Sequence, residues 1–242
     1  MTKGYVYISF GDVNYLAQTY MSIYMLRKQG VKEDILVLTD TDNEILHLPG
    51  VTVQVIPATP GAKQQSRDVK TQLNSYSIFD RTLYIDSDII CLKNPDTIWE
   101  HTAPLCISYD LHHTVASCNH SSLNEKNYTM TVCPNQYQWN SGVILFDKSS
   151  DAYWNAFWHD WHTEWQRYSD IDQLALSRAL FNLNISPDII QLNFNCQFTG
   201  ISDVLHLDVI FWHSWAQKFV YYEKYEKNEL YRIFDILKIS HN

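Results

Sequence analysis

The chain has 242 residues, 45% of them hydrophobic, which is enough apolar material for one sizeable core. Its formal net charge is -9 and no dense Lys/Arg run occurs, so a nucleic-acid partner, which needs a basic footprint, is disfavoured. No stretch is long and apolar enough to serve as a transmembrane segment. The start, MTKGYVYISFGD, lacks the apolar stretch of a secretion signal, and the five cysteines never form a CxxC pair. The expectation is a cytoplasmic protein with reduced thiols, with a peripheral membrane location left open. Sequons at Asn119 and Asn127 then read as chance matches.

In chain order, YVYISF (5–10) is a first strand, β-branched and aromatic. Residues 11–30 read as a helix, with Leu16, Tyr20, Ile23 and Leu26 at helical spacing, Asp12 or Asn14 as its cap and Gly30 as its stop. DILVLTD (34–40) and VTVQVI (51–56) follow as strands, and a helix around 69–78 leads into the strand TLYIDSD (82–88). This alternation predicts a doubly wound, mainly parallel sheet, in which ligands bind outside the carboxyl ends of strands.

From about 109 to 137 the chain is rich in Asn, Ser, His and Thr without periodicity, and is expected as a long functional or mobile loop. Gly142 to Phe146 is strand-like. The next segment is helical, with Trp154, Trp158, Trp161 and Trp165 along one stripe that reads as core rather than as a sugar platform. DIDQLALSRAL is a further helix, PDIIQLNFN and VLHLDVIFWHSW are strand-like, and residues 222–237 form an amphipathic tail helix, left exposed for a partner.

The segment LYIDSDIICLKNPD (83–96) carries two carboxylates, Asp86 and Asp88, one residue apart and with no obvious cation near them in sequence. On an extended segment residues i and i+2 point the same way, so the pair can converge on one hard divalent ion. Such an ion can neutralise a diphosphate leaving group. Alone the pattern is weak; one Asp capping a turn and one solvated is the plainer alternative.

The ordered set of motifs around it is more specific. RTLYIDSDIICLKNPDTIWE resembles the metal-binding segment of glycogenin-like retaining glycosyltransferases, glycosyltransferase family 8 and its relatives. The opening strand followed by Tyr15 resembles that family's nucleotide-binding start. Lys70 matches a lysine that approaches the donor, NSGVILF (140–146) the N-S-G-V-x-x-F strand, DQLAL (172–176) the D-Q-x-x-L-N helix start, and HSWAQKF (213–219) the closing H-F-x-G-x-x-K-P-W motif. The pieces occur in family order and reach to about Phe219. Two departures stand out: the spacing from His213 to Lys218 is one residue short, and the Gly and Pro-Trp of the last motif are absent.

The resemblance implies a single α/β domain of GT-A type over 1–242, with a nucleotide-sugar-binding half at about 1–108, an acceptor-side half at about 109–220 and a C-terminal helix at about 221–242. It implies Mn²⁺, with Mg²⁺ as the alternative, on Asp86, Asp88 and His213. The donor, a UDP-sugar, would meet Ser9, Phe10, Tyr15, Lys70, Asp86, Asn140, Ser141, Gly142 and Lys218, while Asp172, Gln173 and Lys70 would be catalytic. A glycan or other hydroxyl acceptor would receive the sugar with retention, either through Asp172 as a covalent nucleophile or by attack on the face the diphosphate leaves, the route the residues favour.

Plainer readings stand beside these. His213, between Trp212 and Trp215, also suits a satisfied core histidine, and Asp172 a helix cap. HHTVASCNH fits no standard zinc spacing and reads better as a loop lining the acceptor site. Rival functions are a nucleotide-sugar-binding module without transfer activity and a sugar nucleotidyltransferase; the lack of a glycine-rich loop after the first strand weakens the latter.

Overall fold

Strand β1 (Lys3–Ser9) is buried on both faces, Tyr5 and Tyr7 toward one side and Val6 and Ile8 toward the other, as expected of a central parallel strand. The computed structural model describes residues 1–57, 62–197, 207–215 and 219–240, with the side chains at 62, 63, 112 and 113 set aside. Helix α1 (Val13–Lys28) follows, capped by the Asp12 side chain, which accepts from Asn14 N, and stopped at Gly30, whose φ of +88° a side chain would resist.

Strands β2 (Asp34–Thr39) and β3 (Val51–Val55) extend the sheet. Helices α2 (Ala62–Lys70) and α3 (Leu73–Tyr76) lead to β4 (Arg81–Ile85). A short β5 (Ile89–Cys91), β6 (Leu105–Thr114), α4 (Leu123–Val132) and β7 (Tyr137–Asp147) come next. Helices α5 (Ala152–Gln166) and α6 (Asp172–Asn182), strands β8 (Asp188–Ile189) and β9 (Phe211–His213), and helices α7 (Val220–Tyr225) and α8 (Lys227–Leu237) complete the described elements.

The seven-stranded sheet runs β3-β2-β1-β4-β7-β6-β8, with β3, β2, β1 and β4 parallel, β7 antiparallel to both its neighbours and β8 parallel to β6. This is a mainly parallel α/β domain, as expected. The chain moves outward from β1 in one direction and returns on its other side as β4, so the order reverses between these two strands. Their carboxyl ends, Ser9 and Ile85, open the crevice where such sheets bind ligands.

One core lies between the sheet and α1, β5, β9 and the tail helices; the other lies against α2, α3, α5 and α6. Trp158, Trp161 and Trp165 are buried in the second, so the tryptophan stripe is core. The five cysteines are buried and form no disulfide.

Several expectations change. The segment 109–137 is not a long loop: it holds most of β6 and all of α4, a helix that periodicity does not reveal because only Glu125 and Thr129 are buried along it. Those polar residues face Arg178 of α6, whose guanidinium is fully buried between Glu125 and Glu164. The helix expected at 69–78 begins earlier and breaks after Lys70. The tail is two helices, not one exposed rod. Leu230, Ile233 and Phe234 pack in the first core with Tyr20 and Ile23 of α1, and Glu229 accepts from the Tyr20 hydroxyl. The strands expected at 187–195 and 204–215 shrink to β8 and β9, residues 204–206 lying outside the described set.

Candidate active site

The aspartate pair is assembled by a turn rather than by strand alternation. Ile85 ends β4, and Ile89 N donates to Asp86 O at 3.1 Å, so residues 86–89 reverse out of the main sheet. Ser87 points back into the protein, its hydroxyl donating to Ile8 O at 3.0 Å and meeting Thr19 Oγ1 at 2.8 Å. The two flanking carboxylates are thereby left on the cleft side. Strand β5 then pairs antiparallel with β9, Ile89 opposite His213, and Ser214 donates to Asp88 O through both its N–H and its hydroxyl. This small second sheet is what brings His213 to Asp88 from far along the chain.

Ligand atoms of Asp86, Asp88 and His213 lie within 4.8 Å of one another. His213 Nε2 is 3.4 Å from Asp88 Oδ1. Two carboxylates and an imidazole suit a divalent ion such as Mn²⁺, so these residues fit the expected metal. Burial opposes ionisation of Asp88, but His213 and then Lys70 outweigh it and hold the carboxyl below its usual range. A second trio, His101, Cys106 and Asp188, also meets within that distance, at the edge strand β8. There Arg81 lies against Cys106, a poor neighbour for a metal ion.

Asp86 does have a cation. Lys70, the last residue of α2, is buried and places Nζ 2.9 Å from Asp86 Oδ1 and 3.3 Å from Asp172 Oδ2. Burial favours a neutral Lys70, but Asp172 and Asp86 outweigh it and raise its pKa. Tyr84, raised well above its ordinary value by burial and then by Asp86, keeps its proton, and its hydroxyl donates a hydrogen bond to Asp86.

Asp172 opens α6 at its first helical position; Ile171 is the N-cap, so the carboxylate does not serve as the cap. It accepts from the Ser141 hydroxyl, lies 3.9 Å from Arg67 Nε, and its backbone carbonyl takes the Trp161 indole N–H at 3.0 Å. Lys70 and Arg67 overcome the burial penalty and hold Asp172 ionised.

The surrounding cleft has two lobes that share Arg67, Lys70, Asp86, Asp88 and Asp172, of about 240 and 290 Å³, together the size of a small-molecule site. Phe10, Tyr15 and Gln18 line the first. Asn140, Ser141, Gln173, His213 and His120 line the second. Ser9 lies apart, in an adjoining recess with Phe10, Gly11 and Asp40. Gly142 lies against the His213 ring rather than the open cleft: a Cβ there would be 2.6 Å from His213 Cε1. Lys218 lies outside the described residues, as do the side chains of His112 and His113 from the zinc reading. From that segment Asn119 and His120 do line the second lobe, His120 Nε2 lying 2.9 Å from Gln173 Oε1.

Arg67, Asp110 and Asn195 were not singled out by sequence. Arg67 lies three residues before Lys70, one helical turn, which is the one signal that marks it.

No protein-family model matches the chain, and no curated protein matches it. Solved structures do. The galactosyltransferase LgtC, in complex with donor and acceptor sugar analogues, superimposes with a TM-score of 0.62 at 13% identity over 88% of this chain and 87% of that one. Mouse xyloside xylosyltransferase 1 gives 0.60 at 12% identity over 90% and 99%. WbbM, a bifunctional glycosyltransferase, gives 0.62 at 14% identity over 89% of this chain and 46% of that one. At such identities the likeness is one of fold: the chain has the GT-A fold of glycosyltransferases.

Proposed function

We propose that the protein is a metal-dependent glycosyltransferase that moves a sugar from a UDP-sugar to an acceptor hydroxyl with retention of configuration, as expected of the glycosyltransferase family 8 group. The observation that carries this reading is the meeting of Asp86, Asp88 and His213 at the strand-order switch of a glycosyltransferase fold. Asp86, Asp88 and His213 would hold Mn²⁺ or, in its place, Mg²⁺. That ion, when bound, supplies positive charge against the charge that builds on a leaving diphosphate.

The remaining roles belong to the chain's own residues. Tyr15, 44% exposed, and Phe10 line the first lobe and would offer aromatic surface to a base, with Ser9 meeting the donor from the adjoining recess. Lys70 presents a compact ammonium to the diphosphate or donor sugar, and Lys218 would add a second. Asp172, Gln173, Asn140 and Ser141 would hydrogen-bond sugar hydroxyls. The first half of the chain would thus serve the nucleotide, and the second lobe, with Asn119 and His120, an acceptor glycan or other hydroxyl compound.

Asp172 supports the single-displacement route to retention. A covalent nucleophile needs an electron-rich carboxylate, whereas the charge of Asp172 is already opposed by Lys70, 3.3 Å from Oδ2, and Arg67, 3.9 Å from Oδ1, and Oδ2 also accepts from Ser141. The acceptor hydroxyl would then give its proton to the departing diphosphate.

The test is incubation with a panel of UDP- and GDP-sugars, with Mn²⁺ or EDTA, measuring nucleoside diphosphate released. Mn²⁺-dependent release from one donor is the expected result, and Asp88→Ala should abolish metal-dependent UDP binding. Binding of UDP without release or transfer would favour the binding module. Pyrophosphate from UTP and a sugar phosphate would point to the nucleotidyltransferase, and no nucleotide binding at all would sink the reading.

A further inference from the structure

His213 does not stand alone behind the aspartates. Its Nδ1 lies 3.1 Å from Asn195 Oδ1, and Asn195 Nδ2 donates to Asn140 Oδ1 at 2.8 Å and to Ser108 Oγ at 2.6 Å. Asn140 Nδ2 in turn donates to Asp110 Oδ2 at 3.0 Å. Asp110, Asn140, Asn195 and Ser108 are at most 1% exposed, so these groups are turned to one another rather than to bulk solvent.

The direction of every bond in this chain is set from its far end. The Gly142 backbone N–H has only a donor role, and it points at Asn140 Oδ1 at 2.9 Å. The Asp110 carboxylate accepts. Asn140 is therefore pinned with oxygen toward Gly142 and nitrogen toward Asp110. Asn195 must then turn its nitrogen to Asn140, since two facing carbonyl oxygens would leave both buried acceptors unpaired. Its oxygen is left facing His213 Nδ1, which must carry the hydrogen. The neutral ring consequently keeps its lone pair on Nε2, the atom 3.4 Å from Asp88 Oδ1. In the neutral ring that lone pair faces a carboxylate, a repulsion removed either by a second proton on Nε2, as in the ion pair with Asp88 described above, or by a metal ion between them.

We propose that Asn195 is a positioning residue that fixes His213 in the Nδ1–H tautomer, through the buried relay Asp110–Asn140–Asn195, so that Nε2 is presented as a metal ligand. The value of that tautomer rests on the metal reading above; the tautomer itself does not. An imidazole that ligates a metal is commonly oriented in this way by a partner on its other nitrogen, and losing the partner typically costs about 10–100-fold in metal affinity. Here the partner is a neutral amide held by further amides, which orients the ring without adding a charge to the two aspartates.

The experiment is the two-bond ¹H–¹⁵N correlation spectrum of the metal-free protein, recorded alkaline enough for the ring to be neutral, in which the two nitrogens of each tautomer are distinguished. His213, assigned by its loss in His213→Gln, is expected as Nδ1–H in the wild type. Asn195→Leu should shift the ring toward Nε2–H and weaken Mn²⁺ binding, measured by calorimetry, by about tenfold or more. An Nε2–H ring in the wild type overturns the proposal without any variant, and so does a tautomer that is unmoved in folded Asn195→Leu. A tautomer that responds as expected in a protein that takes up no Mn²⁺ supports the proposal and overturns the metal reading instead.

Discussion

Lys70 Nζ sits 2.9 Å from Asp86 Oδ1, in a site where the lysine is 6% exposed, so the first aspartate of the DSD turn is ion-paired before any ligand arrives. The same ammonium reaches Asp172, which makes one buried cation the junction between the candidate metal site and the candidate sugar site. Desolvation of such a group is recovered only while both partners stay in place.

Lys70→Met should therefore lower stability by roughly 1–3 kcal/mol in metal-free buffer, because it takes the cation from one buried carboxylate, Asp172, and one partly exposed carboxylate, Asp86. Urea denaturation measures this. Mn²⁺ should stabilise the variant more than the wild type, since the ion and Lys70 neutralise the same aspartate. A variant as stable as the wild type would show that the pair is not formed in solution.

Gly142→Ala tests the seat of the imidazole. The added Cβ would lie 2.6 Å from His213 Cε1 and 2.9 Å from both His213 Nδ1 and Asn140 Oδ1. The ring or β7 has to move, at a cost of about 1–3 kcal/mol for forced overpacking. Calorimetric Mn²⁺ titration should show weakened binding, while UDP release falls in parallel. Unchanged metal affinity would mean that His213 can leave its place without loss.

A pH effect should come from the opposite side of α6. Burial, only partly offset by Arg178, raises Glu125 to about 7 from its ordinary 4.5. The folded state thus holds this proton more tightly than the unfolded chain does. Its contribution is fully present below about 4.5 and is lost as pH rises to about 7. Between about pH 5 and about pH 8 the wild type should lose stability on the order of 1–3 kcal/mol that Glu125→Gln does not lose, as read by urea unfolding. Asp88 and Asp172, held below their ordinary 3.8, act with the opposite sign and only in more acid solution.

Leu230→Ala probes the tail. Leu230 is fully buried against α1 side chains, so truncation should cost roughly 2–5 kcal/mol in chemical denaturation. An exposed, partner-seeking helix would show almost no effect.

Much of the scaffold was legible because its signals are local. The apolar runs at 5–10, 34–40 and 51–56 became β1, β2 and β3, and Asp12 and Gly30 bound α1 as their chemistry requires. The 109–137 segment was misread because α4 buries Glu125 and Thr129 rather than aliphatic residues, and a helix held by a buried ion pair leaves no hydrophobic period. The tail was legible as amphipathic, yet nothing in its pattern says which surface its apolar face meets.

The site divides the same way. The aspartate pair alone was a weak signal; the resemblance of the ordered motifs to glycosyltransferase family 8 is what marked Asp86, Asp88, His213, Asp172 and Gln173. Only the fold decided that Lys70 closes on Asp86 and Asp172, that the β5–β9 pairing delivers His213 to Asp88, and that Asn195 sits behind the imidazole. Sequence fixes which groups a chain can bring to a site, since that is a property of each residue. Which of them face one another depends on strand pairing and packing between distant segments, and those long-range contacts exist only once the chain has folded.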